Sequence, residues 1–174
     1  IIKANNSNNT NSGIARYQKG YTNMKDGFIK VAAATPKIKV ADVQFNGDNI
    51  ISGIKSAAEQ GVKLIVFPEL CITGYTCGDL FGQRLLIQSA YFQLERIKEE
   101  TRELEIISVL GLPLISDGKL INAAAVLYKG KILGIVGKKN LPNYNEFYEK
   151  RNFEDCIDDE PVIFRCKNMP EFSF

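Results

Sequence analysis

Apolar residues along the chain form short strand-like runs, helical stripes and alternating segments. Residues 28–35 and 62–67 are apolar runs that stop at Pro36 and Pro68, which predicts two strands. Between them a helical spacing predicts a helix with one apolar stripe: Ile50, Ile51, Ile54, Ala57 and Ala58. A strand, a helix and a strand within about 40 residues indicate a parallel crossover.

The boundaries of the helices follow from capping residues and apolar spacing. Asn46 or Asp48 is expected to cap the first helix, and Gly61 is expected to end it. Residues 83–104 predict a second, longer helix with a charged, solvated end. Its inward side is expected to carry Leu85, Leu86, Phe92, Leu94 and Ile97.

The second half of the chain changes from crossovers to hairpins. Strands are predicted over 106–115, 120–128 and 131–136, with turns at 116–119 and 129–130, and a short strand over 162–166. Parallel crossovers followed by hairpins indicate an α/β fold with a mixed sheet. We expect that sheet to pack against a second sheet, with helices outside.

Composition describes one domain preceded by a polar segment. The 174 residues are 45% apolar, enough for a real core, and no apolar run approaches the ~20 residues of a membrane helix. Residues 1–23 are rich in Asn, Ser and Thr, so we expect them to be disordered, upstream of a native start at Met24. They carry three of the 22 basic residues and no acid. The remaining 19 basic and 20 acidic residues give no electrostatic footprint for nucleic acid.

The absence of His and the spacing of the Cys residues restrict the catalytic and metal sites that the chain can form. The chain has no His, which excludes His-based acid–base catalysis and His-ligated metals. Its four cysteines, Cys71, Cys77, Cys156 and Cys166, include no C-x-x-C pair. Reduced thiols in a cytoplasmic protein are therefore expected, with Cys71 a small buried hydrophobe.

Two strand ends each supply one ionisable group, Glu69 and Lys138. Glu69 follows the buried run that stops at Pro68, and Lys138 follows the last hairpin strand. In a dry pocket such a pair can do acid–base work; the alternative is a structural ion pair. A Glu base and a Lys cation would suit an activated cysteine, with the Lys stabilising the oxyanion. The Gly-rich loop 73–82 matches no phosphate-binding motif.

Ordered motifs around these residues resemble the nitrilase (carbon–nitrogen hydrolase) superfamily. They are Pro-Glu-Leu at 68–70, Thr-Gly-Tyr at 73–75, and Lys138 three residues before Leu-Pro at 141–142. Tyr-Thr-Cys-Gly-Asp-Leu-Phe at 75–81 and the aromatic, charged stretch 141–153 are similar to the N-terminal glutaminase domain of glutamine-dependent NAD⁺ synthetases. The resemblance runs from Met24 to Phe174.

The resemblance implies an α-β-β-α sandwich that hydrolyses the side-chain amide of glutamine with a Glu–Lys–Cys triad. Glu69 matches the general base, and Lys138 matches the catalytic lysine. Glu149 matches a second glutamate that helps to position the lysine. Matches to positions that line the glutamine pocket are Tyr75, Tyr144 and Phe147. No cofactor or metal is implied for this domain, and homo-oligomers are common in the family.

One departure from the family pattern concerns the nucleophile. The family's cysteine stands in a C-E-D-x-W context, and none of the four cysteines has those neighbours. We expect the motif after Phe174, followed by a fused synthetase domain that uses ATP and Mg²⁺ to amidate deamido-NAD⁺. The domain over 24–174 is thus expected to be incomplete at its C-terminus and inactive alone, with core faces exposed. Alternatives are another nitrilase-type amidase or a non-catalytic small-molecule-binding module.

Overall fold

The computed structural model describes residues 28–116 and 118–156, which form one mixed sheet and two long helices. The predictions for residues 1–23, Met24, the strand over 162–166 and Cys166 lie outside these ranges. The elements are β1 Val31–Ala33, α1 Val43–Glu59, β2 Leu64–Val66, α2 Arg84–Glu100, β3 Ile107–Ser116, β4 Lys119–Tyr128 and β5 Lys131–Gly137. Single 3-10 turns lie at Gly78–Gly82 and Glu149–Arg151.

The five strands lie side by side in chain order, β1-β2-β3-β4-β5. β1, β2 and β3 are parallel, whereas β4 and β5 add to them as antiparallel hairpin strands. The predicted change from crossovers to hairpins is confirmed. The β4–β5 turn has positive φ at both Lys129 and Gly130, the backbone that a tight hairpin requires.

The two faces of the sheet differ in burial. A row of paired residues on the helix side is buried: Ala32, Ile65, Ser108 and Leu127. The next row points to the other face and is exposed or half-buried: Ala33, Val66, Val109 and Val126. The core of the described residues therefore lies between the sheet and the helices, and the opposite face stays apolar and partly open.

The start of α1 differs from the sequence prediction. Asp42 is the N-cap, and its Oδ1 accepts a hydrogen bond of 3.0 Å from the Phe45 N–H. The predicted caps Asn46 and Asp48 lie inside the helix, so that prediction is wrong. Asn46 is buried and its side chain donates to the Ile72 carbonyl instead. Gly61, at φ +76, follows the helix end as predicted.

The buried face of α2 is only partly the predicted one. Leu86, Leu94 and Ile97 are buried, as expected. Leu85 and Phe92 are 73% and 68% exposed, so placing them inward was wrong. They are seven residues apart and share a stripe rotated by about 100° from the one through Leu86, because each residue advances a helix by that angle. Among the described helices, none is long and apolar enough to cross a membrane.

Candidate active site

A tight turn after β2 carries Glu69. Pro68 ends the strand, and Leu70 takes a left-handed φ of 51°. The Leu70 carbonyl accepts hydrogen bonds from the N–H groups of Thr73 (3.1 Å) and Gly74 (2.7 Å), which closes the turn on itself. The turn crosses β3 at Gly111, where a Cβ would collide with the Leu70 nitrogen and come within 2.8 Å of the Glu69 Cα.

Backbone hydrogen bonds hold Lys138 beyond the end of β5. Its N–H donates to the Asn122 carbonyl on β4 at 2.8 Å, and its carbonyl accepts from the Cys156 N–H at 3.0 Å. The side chain reaches the turn after β2, where its Nζ lies 2.8 Å from Oε1 of Glu69. The two ionisable groups singled out from the sequence therefore meet. Glu69 is 39% exposed, however, so the dry environment expected for it is not found among the described residues.

Glu149 is the second carboxylate on Lys138. It opens the 3-10 turn Glu149–Arg151 and its side chain is only 5% exposed. Both of its carboxylate oxygens lie 2.9 Å from Lys138 Nζ, and the Tyr75 hydroxyl donates to Oε1 at 2.8 Å. A buried carboxylate needs such partners, because an unpaired charge in the interior is costly.

Glu69, Lys138, Glu149 and Tyr75 form one hydrogen-bonded cluster. Asn122 is a further member of this cluster, and the sequence analysis missed it. It is buried within β4, and its Nδ2 donates to Oε1 of Glu69 and, at 3.4 Å, to Oε2 of Glu149. The available signal was a single amide inside the otherwise apolar run Leu-Ile-Asn-Ala-Ala-Ala-Val-Leu at 120–127. Buried polar groups are nearly always hydrogen-bonded, so such a residue indicates a partner.

Burial and hydrogen bonds determine the protonation states of Lys138 and Tyr75. Burial opposes the charge on Lys138, but hydrogen bonds to Glu69 and Glu149 outweigh burial and raise the pKa of Lys138. Burial and the hydrogen bond to Glu149 raise the pKa of Tyr75. Lys138 therefore stays a cation and Tyr75 a neutral donor at neutral pH. The arrangement supplies a fixed positive charge beside a partly open carboxylate.

Residues 30–167 match the family profile described as carbon-nitrogen hydrolase, which is most of the chain. This chain belongs to the carbon-nitrogen hydrolase family. The family match therefore agrees with the superfamily that the motifs indicated.

Similar proteins within this family include glutamine-dependent NAD⁺ synthetases. The enzyme of Mycobacterium tuberculosis strain H37Rv is 34% identical over 131 residues, which is 75% of this chain and 19% of that protein. The enzyme of Aquifex aeolicus is 33% identical over 135 residues, 78% of this chain and 23% of that protein. The chain thus spans about a fifth to a quarter of the length of these curated relatives.

Solved structures of similar proteins superimpose on this chain. A glutamine-dependent NAD⁺ synthetase from Cytophaga hutchinsonii superimposes with a TM-score of 0.75 at 28% identity, over 81% of this chain and 24% of that chain. An amidase from Nesterenkonia sp. superimposes with a TM-score of 0.64 at 25% identity, over 75% of this chain and 49% of that chain. The sheet and helices described above are thus those of nitrilase-superfamily proteins.

The family resemblance singled out three aromatic residues, and the structure brings one of them to the carboxylates. Tyr75 donates to Glu149. Tyr144 and Phe147 pack edge to face on each other, with ring centroids 5.6 Å apart. They lie on the loop between Lys138 and Glu149, and Tyr144 is exposed. Their role in lining a substrate pocket stays a prediction.

Two of the described thiols, Cys71 and Cys77, do not supply an activated nucleophile in this carbon-nitrogen hydrolase. Cys71 is buried and its Sγ donates to the Gly111 carbonyl; burial raises the pKa of its thiol to about 12. Burial also raises the pKa of Cys77, whose Sγ donates to the Thr73 carbonyl. A raised thiol pKa means less thiolate, and the thiolate is the reactive form. The prediction that Cys71 is a buried small hydrophobe is confirmed.

Proposed function

We propose that this chain carries the acid–base half of a glutamine-hydrolysing active site, within a protein that makes NAD⁺ from deamido-NAD⁺. One observation supports this above the others: the Lys138 ammonium lies between the carboxylates of Glu69 and Glu149, at 2.8 and 2.9 Å. The glutamine-dependent NAD⁺ synthetases that resemble the chain supply the substrate class.

The proposed reaction needs a cysteine in a C-E-D-x-W context, which none of the four cysteines of this chain has. Glu69 takes the thiol proton, and the thiolate attacks the amide carbon of the glutamine side chain. The oxyanion that forms is stabilised by the charge on Lys138. Glu69 returns the proton to the departing nitrogen, and ammonia leaves a thioester. Water, deprotonated by Glu69, then releases glutamate and restores the thiol.

Three residues of the cluster each fit one part of this scheme. Lys138 has a raised pKa, so it acts as a fixed cation and not as a base. Glu149 is buried against Lys138 and holds that cation in place. Glu69 is partly open to solvent, which leaves room for a thiol and a substrate to approach it.

The remaining partners follow from the same proposal. Ammonia would pass to a fused synthetase domain that uses ATP and Mg²⁺. The glutaminase half itself would need no cofactor. A cytoplasmic location, a homo-oligomer and a glutamine pocket lined by Tyr75, Tyr144 and Phe147 stay predictions.

Glutamate release from glutamine tests the proposal. The gene product extended through the C-E-D-x-W motif is expected to turn over glutamine, and the 174-residue chain is not. In the extended protein, Glu69→Gln and Lys138→Met should each lower kcat by about 10²–10⁴-fold. Lys131→Met, on the exposed start of β5, is the matched control and should keep full activity. Turnover by the 174-residue chain, or full activity in Glu69→Gln, would overturn the scheme.

A second candidate is amide hydrolysis of a different substrate. The superposition on the Nesterenkonia amidase favours it, because that protein has the same fold. Comparing kcat/KM for glutamine with kcat/KM for a short aliphatic amide such as propionamide separates the two. A preference for propionamide in the extended protein would favour the second candidate. No turnover of either amide would favour a binding module.

A further inference from the structure

Asn122 contacts the three charged residues of the cluster, Glu69, Lys138 and Glu149. Its backbone carbonyl accepts the Lys138 N–H at 2.8 Å. Its side-chain Nδ2 donates to Oε1 of Glu69 and to Oε2 of Glu149. The residue is buried on β4, which has a neighbouring strand on each side, so its backbone is fixed by the sheet. The contacts place Asn122 where it can set the relative positions of both carboxylates.

The hydrogen bonds on Glu69 are divided unevenly between its two oxygens. Among the described residues, Lys138 Nζ and Asn122 Nδ2 both donate to Oε1, and none donates to Oε2. The side chain is 39% exposed. With Oε1 held from two directions, rotation of the carboxylate is restricted and Oε2 is left as the open oxygen.

An amide suits this position better than other side chains of similar size. Its NH₂ group has two donors and no charge, so it can serve two carboxylates at once. An aspartate would add a third negative charge near Glu69 and Glu149. A leucine would remove one hydrogen-bond donor from Glu69 and one from Glu149, and a lost hydrogen bond is costly for a buried carboxylate such as Glu149.

We propose that Asn122 is a positioning residue whose amide ties Glu69 to Glu149, keeps Lys138 between them and leaves Oε2 of Glu69 open. The holding role stands on the contacts alone. The consequence for turnover, that Oε2 is the oxygen that exchanges the proton, rests on the proposed function.

The reactivity of Lys138 tests the holding role without any substrate. The rate of acetylation by acetic anhydride at pH 9 is measured for each lysine by mass spectrometry and divided by the rate for Lys131. Asn122→Leu should release Glu69 and raise the Lys138 ratio by about threefold or more, because the free-amine fraction changes tenfold per pKa unit. Asn122→Asp adds negative charge and should leave the ratio equal or lower.

Asn46→Leu is the matched control. Asn46 is also a buried asparagine with side-chain hydrogen bonds, but its partners are Lys39 and Ile72. It should lower the melting temperature without changing the Lys138 ratio. Equal ratios in wild type and a folded Asn122→Leu would overturn the holding role. If Asn122→Leu does not fold, a ratio for Asn122→Asp well above wild type would overturn it.

Turnover by the extended gene product separates this inference from the proposed function. Asn122→Leu should lower kcat about tenfold, the loss expected for a charge-assisted hydrogen bond, with KM within about twofold. If Glu69→Gln abolishes turnover while Asn122→Leu changes neither turnover nor labelling, the inference is wrong and the function stands. If labelling shifts as expected but Glu69→Gln leaves turnover unchanged, the holding role stands and the proposed function is wrong.

Discussion

Lys138 gains its properties from two unlike carboxylates. Glu149 is buried and engages the ammonium with both oxygens, whereas Glu69 is partly exposed and uses one. Removing the cation would leave Glu149 in the interior without its main counter-charge. An interior carboxylate tolerates such a loss poorly.

Replacing Lys138 with Met is therefore expected to destabilise the fold by about 2 kcal/mol, less than a fully buried pair because Glu69 is partly solvated. Lys131→Met, an exposed residue on β5, should change the free energy of unfolding by less than about 0.5 kcal/mol. Urea unfolding of both variants followed by circular dichroism measures the difference. Equal stability of the two variants would contradict the ion-pair geometry.

The pKa of Lys138 also makes stability depend on alkaline pH. Because the folded protein raises this pKa, its stabilising effect is complete below the ordinary lysine value of about 10.4 and disappears as the pH rises through the folded value. The melting temperature of the wild type should fall in that window more steeply than that of Lys138→Met. Lys129→Met, which removes an exposed lysine paired with Glu105, controls for surface ion pairs. Parallel pH curves for wild type and Lys138→Met would contradict this prediction.

The sequence located the charged members of the cluster better than its asparagine. Glu69, Lys138 and Glu149 were singled out through a strand end or an ordered motif. Asn122 was missed because its partners lie 53 and 27 positions away, and a strand pattern shows a polar residue without showing what it faces. The partial exposure of Glu69 was also beyond sequence reasoning, because it depends on what covers the turn after β2.

The turn after β2 and strand β3 fit together only because of one small residue. At Gly111 the backbone of Glu69 and Leu70 passes so close that no Cβ can be accommodated. The Ile72 N–H then donates to the Gly111 carbonyl at 3.3 Å, so the turn is attached where it crosses. The position of the carboxylate thus depends on a glycine 42 positions along the chain.

Gly111→Ala is expected to cost about 1–3 kcal/mol through overpacking, and to move Glu69 away from Lys138. Gly134→Ala is the control, because that glycine lies in β5 with no atom within 4 Å of the added methyl group. It should be neutral or slightly stabilising. Thermal unfolding compares the two variants, and the Lys138 acetylation ratio reports the displaced carboxylate. A neutral Gly111→Ala would contradict the close crossing.

Strand order and hairpins were predictable because they leave local signals. The turn Lys129–Gly130 and the apolar run before Pro68 each show their structure within a few residues. Helix boundaries were less predictable, because several polar residues can cap a helix. Asp42 precedes Val43, and Asn46 precedes the apolar stripe that begins at Ile50. The structure decides between them, because the Asn46 side chain donates to the Ile72 carbonyl and Asp42 accepts the N–H of Phe45.

The described residues bury one side of their sheet and leave the other partly open. Val31 and Val66 point to this open face and are 49% and 41% exposed. Ile65, between the helices and the sheet, is fully buried. Contiguous exposed apolar surface of this kind favours association and dye binding.

The double variant Val31→Lys, Val66→Lys is therefore expected to reduce self-association of the 174-residue chain with little loss of stability. Sedimentation velocity and the fluorescence of 8-anilinonaphthalene-1-sulfonate measure this. Ile65→Ala, on the buried side, should instead lower stability by about 2–5 kcal/mol and increase dye binding. Unchanged association and dye binding in the lysine variant would show that this face is covered in solution.

Leu70 holds a backbone conformation that costs a leucine about 1–2 kcal/mol. The Leu70 carbonyl accepts hydrogen bonds from the N–H groups of Thr73 and Gly74, and these bonds hold the turn in that conformation. This conformational cost is part of the free energy of folding and is not incurred again when a ligand binds. In the reaction proposed above, an amide substrate would therefore meet a carboxylate that is already in position, and its affinity would not be reduced by the cost of ordering the turn.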